Sequence, residues 1–141
     1  MEPSFSRLAA SISKLLTNMR NGTYHRDIGL PAGAASIFCG TFRLNLTLHA
    51  VRAASEDRYG TPRLHRQITI KTADVVEVTY ESGRPVKAVV RLPYQFDAKL
   101  DVVFVVFPPE NFSCSITAKT LWLNAHDDNH KTLDKTKYQT L

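Results

Sequence analysis

The stretch Leu100-Asp101-Val102-Val103-Phe104-Val105-Val106-Phe107 governs how the rest of the chain is read. From Val102 to Phe107 every residue is apolar and either β-branched or aromatic, the composition of a strand. Successive strand side chains point to opposite faces, so a run apolar at every position predicts a strand covered on both sides. That is a central strand. The run is also far short of the ~18 apolar residues that a membrane span needs.

Working outward, Pro108-Pro109-Glu110-Asn111 predicts a hairpin connection to a strand over Ser113–Leu123. Upstream, Val75–Tyr80 and Val86–Leu92 flank Glu81-Ser82-Gly83-Arg84-Pro85, a second hairpin connection. These strands alternate more clearly and belong nearer the edges. Gln67–Lys71 is a short candidate strand, and Phe42, Leu44, Leu46 and Leu48 alternate with polar residues as a half-buried strand or lead-in. Phe5, Leu8, Ile12, Leu15, Leu16 and Met19 form one apolar stripe at helical spacing, so residues 5–20 predict a helix. Its stripe suits burial on the sheet; a membrane-surface helix is the alternative. His49–Tyr59 predicts a second helix, ended by Gly60 and Pro62. The Gly- and Pro-rich stretch from Gly22 to Gly40 reads as a long connection with one short turn of helix. The expected fold is α+β: N-terminal helices packed on a four-stranded antiparallel β-sheet.

The 141 residues fit a single domain. It divides into an N-terminal helix and connection (1–40), a helix plus sheet (41–123) and a polar, His-rich tail (124–141). With 43% hydrophobic and 22% charged residues the chain can bury a core, which excludes wholesale disorder. A net charge of +5 favours polyanionic partners such as nucleic acid. Cys39 and Cys114 have no short pairing pattern and read as two buried free thiols, as in a reducing compartment. The expected location is the cytoplasm, of the host cell if the protein is phage-encoded, with no membrane partner.

Two polar clusters could carry chemistry. His49, Arg52 and Glu56 share one helical face, and an Arg one turn from a His combines proton transfer with phosphate neutralisation. A solvated face laced by ion pairs is the plainer alternative. The second cluster, Asn124-Ala125-His126-Asp127-Asp128-Asn129-His130-Lys131, follows the last strand directly. His126 and His130 at four-residue spacing invite a metal, but Asp127 stands where a HExxH site has Glu, and no Cys is near. An Asp- and Asn-rich turn is the alternative there. No cofactor or metal is expected. RNA cleavage needs none, because a base, an acid and phosphate-holding cations suffice. Candidate catalytic residues are His49, Arg52, His126 and His130; candidate RNA- or phosphate-binding residues are Arg58, Arg66, Lys119, Lys131 and Tyr138. Tyr59, Tyr138 and Trp122 could stack on bases, although a Trp at a strand end is more often core.

The order of helices followed by an antiparallel meander, with "LTLHAVRAASEDRYG" opening the second helix, resembles the RelE-type toxin and phage RegB-type endoribonuclease group. The closing "AKTLWLNAHDDNHKTLDKTKY" is similar to the tails of small phage and bacterial proteins of that broad type. The resemblance covers residues 42–138 and matches the group at His49, Arg52 and Arg58. It implies metal-independent cleavage of mRNA, often on the ribosome, leaving a 2′,3′-cyclic phosphate, with a protein inhibitor or host target as a further partner. Two other functions fit the same composition. One is an RNA-binding or host-inhibitory protein without catalysis; the other is a phage structural or assembly protein whose tail orders on a partner.

Overall fold

The computed structural model describes residues 20–110, 114–128 and 137–141. Its strands are β1 (Gly22–His25), β2 (Gly40–Leu46), β3 (Gln67–Ile70), β4 (Val75–Glu81), β5 (Arg84–Pro93), β6 (Leu100–Val106) and β7 (Ser115–Ala125). Together they form one seven-stranded sheet in the order β1-β4-β5-β6-β7-β2-β3. All neighbours are antiparallel except β2 and β7, which run parallel with Arg43 opposite Ser115 and Leu46 opposite Ala118. Among the described residues the one α-helix is α1 (Leu48–Ser55).

This corrects the expected fold. The sheet is mixed and seven-stranded, not a four-stranded antiparallel meander under N-terminal helices. The expected helix over residues 5–20 lies outside the described residues, apart from Arg20. β1 is a strand the sequence did not announce. β2 and β3 fall on the segments read as a half-buried strand or lead-in and a short candidate strand, but join the sheet beyond the expected four. β1 sits inside the stretch read as a connection, on one edge against β4. β2 and β3 join on the other flank through the parallel β2–β7 ladder.

The hairpin expectations stand. β6 is the fourth of the seven strands, flanked by β5 and β7. The turn between β4 and β5 tightens to Ser82-Gly83, whose φ values of 51° and 77° suit a two-residue hairpin with both residues left-handed.

The sheet must be strongly curled. β3 and β4 stand five positions apart in the strand order, about 24 Å in a flat sheet at ~4.8 Å per step. The connection from Ile70 to Val75 reaches no more than about 18 Å, and Thr72–Asp74 shortens it further as a 3-10 turn. Curling brings the segment ahead of β3 onto the end of the β5–β6 hairpin, where the Tyr94 hydroxyl accepts from Arg63 N at 2.8 Å. Inside the curl Phe38, Ile70, Val78, Val90, Phe104, Ile116 and Leu121 are fully buried.

α1 begins at Thr47, whose hydroxyl accepts from Ala50 N at 3.1 Å as an N-cap. Ala50 and Ala54 are its buried residues. It ends earlier than expected because Asp57 turns away from the helix. One Asp57 oxygen accepts from Leu123 N at 2.8 Å, and the other accepts from Tyr59 N at 2.9 Å. Leu123 lies beyond the part of β7 that β2 covers, so this carboxylate satisfies a backbone donor that no neighbouring strand reaches.

Candidate active site

Asp101 is a carboxylate in the most apolar strand of the protein, and only 5% of it is exposed. A charge so placed needs partners. Arg91, reaching from the neighbouring strand β5, donates from Nε to Oδ2 at 2.6 Å. The same guanidinium donates from Nη2 to the Ala125 carbonyl at 2.6 Å, tying β5 to the end of β7. His126, the first residue after β7, places Nδ1 2.8 Å from Asp101 Oδ1. Its backbone N–H donates to the Lys99 carbonyl at 2.8 Å. One buried carboxylate thus bridges an arginine whose side chain is largely buried and a solvent-facing imidazole, whose side chain is 64% exposed.

The arrangement fixes chemistry as well as position. With Nδ1–H directed at the carboxylate, Nε2 carries the free lone pair and faces solvent as a proton acceptor. His126 borders two cavities. One, of about 530 Å³, lies between the Arg91–Asp101–His126 group and Arg26, Asp27 and Asp74 where β1 ends and β4 begins. Its charge is mixed: Asp74 accepts from Lys71 N at 2.8 Å, and Arg26 donates to the Ala73 carbonyl at 3.0 Å. The other, of about 500 Å³, is lined by Tyr59, Lys99, His126 and Asp127 among others.

Beyond that second cavity the segment after α1 and the β5–β6 connection make a rim of cations over aromatic rings. The Arg58 guanidinium lies 4.8 Å from the Tyr59 ring centre, and the Arg63 guanidinium 5.6 Å from that of Phe96. Phe96 also stacks on His65, with ring centres 5.8 Å apart and planes 19° apart. Tyr59 is 45% and Phe96 51% exposed, so both rings offer open surface.

The two expected clusters do not converge. His49 and Arg52 lie exposed on α1. Thr47, two residues before His49, bonds to the carbonyls of Ala118 and Lys119. His126 lies seven residues further along β7, roughly 20 Å at ~3.3 Å per residue. Arg58 does reach the His126 end, 3.5 Å from Asn124 Oδ1. Arg66 is exposed beside β3, and Lys119 is exposed at an irregularity in the β6–β7 register. Tyr138 is buried, its ring against His25 and its hydroxyl on Glu77, so it offers no stacking surface. His130 and Lys131 lie outside the described residues. Trp122 is 38% exposed.

Sequence reasoning passed over Asp101 and Arg91. The signal was present as one carboxylate inside an otherwise apolar strand, which physics requires to be paired. Cys39 and Cys114 are free thiols, but Cys39 is half-buried and Cys114 exposed, against the expectation of burial. Among the described residues no group of three or more His, Cys, Asp or Glu side chains is placed to hold a metal, and no helix is long and apolar enough to cross a membrane. No family model, curated protein or solved structure matches the chain.

Proposed function

We propose that the His126 end of the sheet binds single-stranded RNA and cleaves it without a metal. The observation that carries this reading is the exposed imidazole held on the buried Asp101 carboxylate at 2.8 Å. His126 Nε2 accepts the proton of a ribose 2′-hydroxyl, whose oxygen attacks the adjacent phosphorus. The bond to the 5′-oxygen breaks, and the imidazolium returns its proton to that oxygen. The products are a 2′,3′-cyclic phosphate and a 5′-hydroxyl. Arg58 and Lys99 are the cations beside His126 that suit the phosphate backbone, and Tyr59 and Phe96 give bases a stacking surface. mRNA, free or on the ribosome, is the proposed substrate. Unpaired thiols suit a reducing compartment such as the cytoplasm.

One observation favours a binding-only protein: Asp27, Asp74 and Asp128 line the larger cavity beside His126 and repel phosphate there. Labelled single-stranded RNA incubated with the protein in EDTA separates the two. Fragments ending in cyclic phosphate, absent with His126→Gln, support cleavage. Intact RNA together with salt-dependent binding selects the binding protein.

A further inference from the structure

On the inner side of the curl, β3 and the segment before it stand opposite β5 and β6 across a slot of about 390 Å³. Leu64 and Ile68 form one wall; Leu92, Val102 and Phe104 form the other. Among the described residues no carboxylate lines the slot, and Arg63 is its one Lys or Arg. Its rim instead carries planar groups: the His65 imidazole bonded to the Gln95 amide, and Phe96 stacked on His65. The Arg63 guanidinium lies 5.6 Å from the Phe96 ring centre.

We infer that this slot is a nucleobase pocket, an inference that rests on the RNA reading above and names how that RNA is recognised. Apolar walls suit the faces of an uncharged planar ring. An amide and an imidazole can exchange their mutual hydrogen bond for bonds to a ring edge that offers both donors and acceptors. An acyl chain would leave those rim groups without a role, and among the described residues a buried anion would meet Arg63 alone. Arg63 at the mouth suits the sugar–phosphate that must stay outside. The slot lies on the face of β5–β6 opposite Arg91 and Asp101, and it shares lining with the His126 cavities at the end of the β5–β6 hairpin. Pro93 lines both the slot and the cavity at His126, and the same β5–β6 connection supplies Phe96 to the slot and Asp97, Ala98 and Lys99 to the second cavity at His126. A strand whose phosphate rests at His126 can therefore seat a neighbouring base between β3 and β5.

The test titrates the four nucleoside 5′-monophosphates into isotope-labelled full-length protein and follows backbone amide shifts. Binding weaker than about 10 mM counts as none. The expected result is saturable shifts at Leu64, Ile68, Gln95 and Phe104 with unequal affinities for the four bases. Ile68→Trp, which fills the slot, should weaken the best ligand about tenfold or more, in line with the loss of one base contact. Gln95→Ala, at an exposed loop position where folding is not at issue, should change the ranking of the bases. Shifts confined to other surfaces, or equal binding by both variants and wild type, overturn the pocket. The two readings fail separately. Wild-type protein that binds monophosphates in the slot but cleaves no RNA removes the cleavage reading and keeps the pocket. RNA cleaved with the same base preference by wild type and Ile68→Trp removes the pocket and keeps cleavage.

Discussion

Asp101 stands between two partners, with His126 Nδ1 2.8 Å from one carboxylate oxygen and Arg91 Nε 2.6 Å from the other. The carboxylate belongs to the central strand and the imidazole to the first residue beyond its neighbour, so the sheet itself sets their separation. The Arg91–Asp101 pair is buried on both sides, at 9% and 7% side-chain exposure. Removing one partner of such a pair leaves an uncompensated charge and costs about 3–5 kcal/mol, whereas replacing both with apolar residues costs much less. Arg91→Met alone should therefore lower the urea midpoint more than Arg91→Met with Asp101→Leu. Equilibrium unfolding of the two variants beside wild type checks the order.

Asp57 joins α1 to β7 through two backbone donors, Leu123 N and Tyr59 N. Asp57→Ala leaves a strand N–H without its acceptor and should cost about 2 kcal/mol. Asp57→Asn, which keeps one carbonyl oxygen, should cost less. Amide hydrogen exchange at Leu123 should rise in the alanine variant while exchange at Phe104 tracks global stability alone.

On the proposed RNA reading, the basic and aromatic rim should make two separable contributions to binding. Tyr59→Ala or Phe96→Ala should weaken binding to a short single strand by about five- to a hundredfold, with little change in salt dependence. Arg58→Ala, Arg63→Ala or Lys99→Ala should each reduce the slope of log affinity against log salt by about 0.7 if that cation meets a phosphate. Fluorescence anisotropy across a salt series measures both quantities in one experiment.

The Tyr138 hydroxyl is held well above the ordinary tyrosine value of 10.0, first by burial and then by its bond to the Glu77 carboxylate. The folded state favours the neutral phenol. Its contribution is therefore complete below pH 10 and is lost as pH rises from there through the higher folded value. Tyr138→Phe should be less stable than wild type by about 1–3 kcal/mol at neutral pH, and the gap should close as pH climbs past 10. Urea unfolding at pH 8 and at stepwise higher pH follows the gap.

Much of the sheet was legible where local chemistry decided it. Val102–Phe107 could only be covered on both faces, and Glu81–Pro85 read as a hairpin connection, which the structure tightens to Ser82-Gly83, so the β4–β5–β6–β7 order followed from adjacent segments. The parallel ladder of β2 on β7 joins Arg43 to Ser115, and no local pattern announces a pairing over that distance. β1 was hidden because four residues among glycines carry too little periodicity, and its pairing with Val78 and Thr79 is wholly tertiary. At the site, His126 and Arg58 were legible by residue type. Their neighbours Asp101 and Arg91 were passed over: Asp101 is the one charge of an apolar strand, and Arg91 is one of three cations along β5, with nothing local to single it out. His49 and Arg52 looked equally suited to chemistry, yet α1 runs along β7 and holds them at the end away from His126.

RNA cleavage in EDTA by wild type, His126→Ala and His49→Ala tests the central claim most directly. Loss of at least about a hundredfold with His126→Ala, the worth of a positioned acid–base group, and a rate within about twofold of wild type with His49→Ala are expected. Full activity in His126→Ala, or no cleavage of free or ribosome-bound RNA by the wild-type protein, would contradict it.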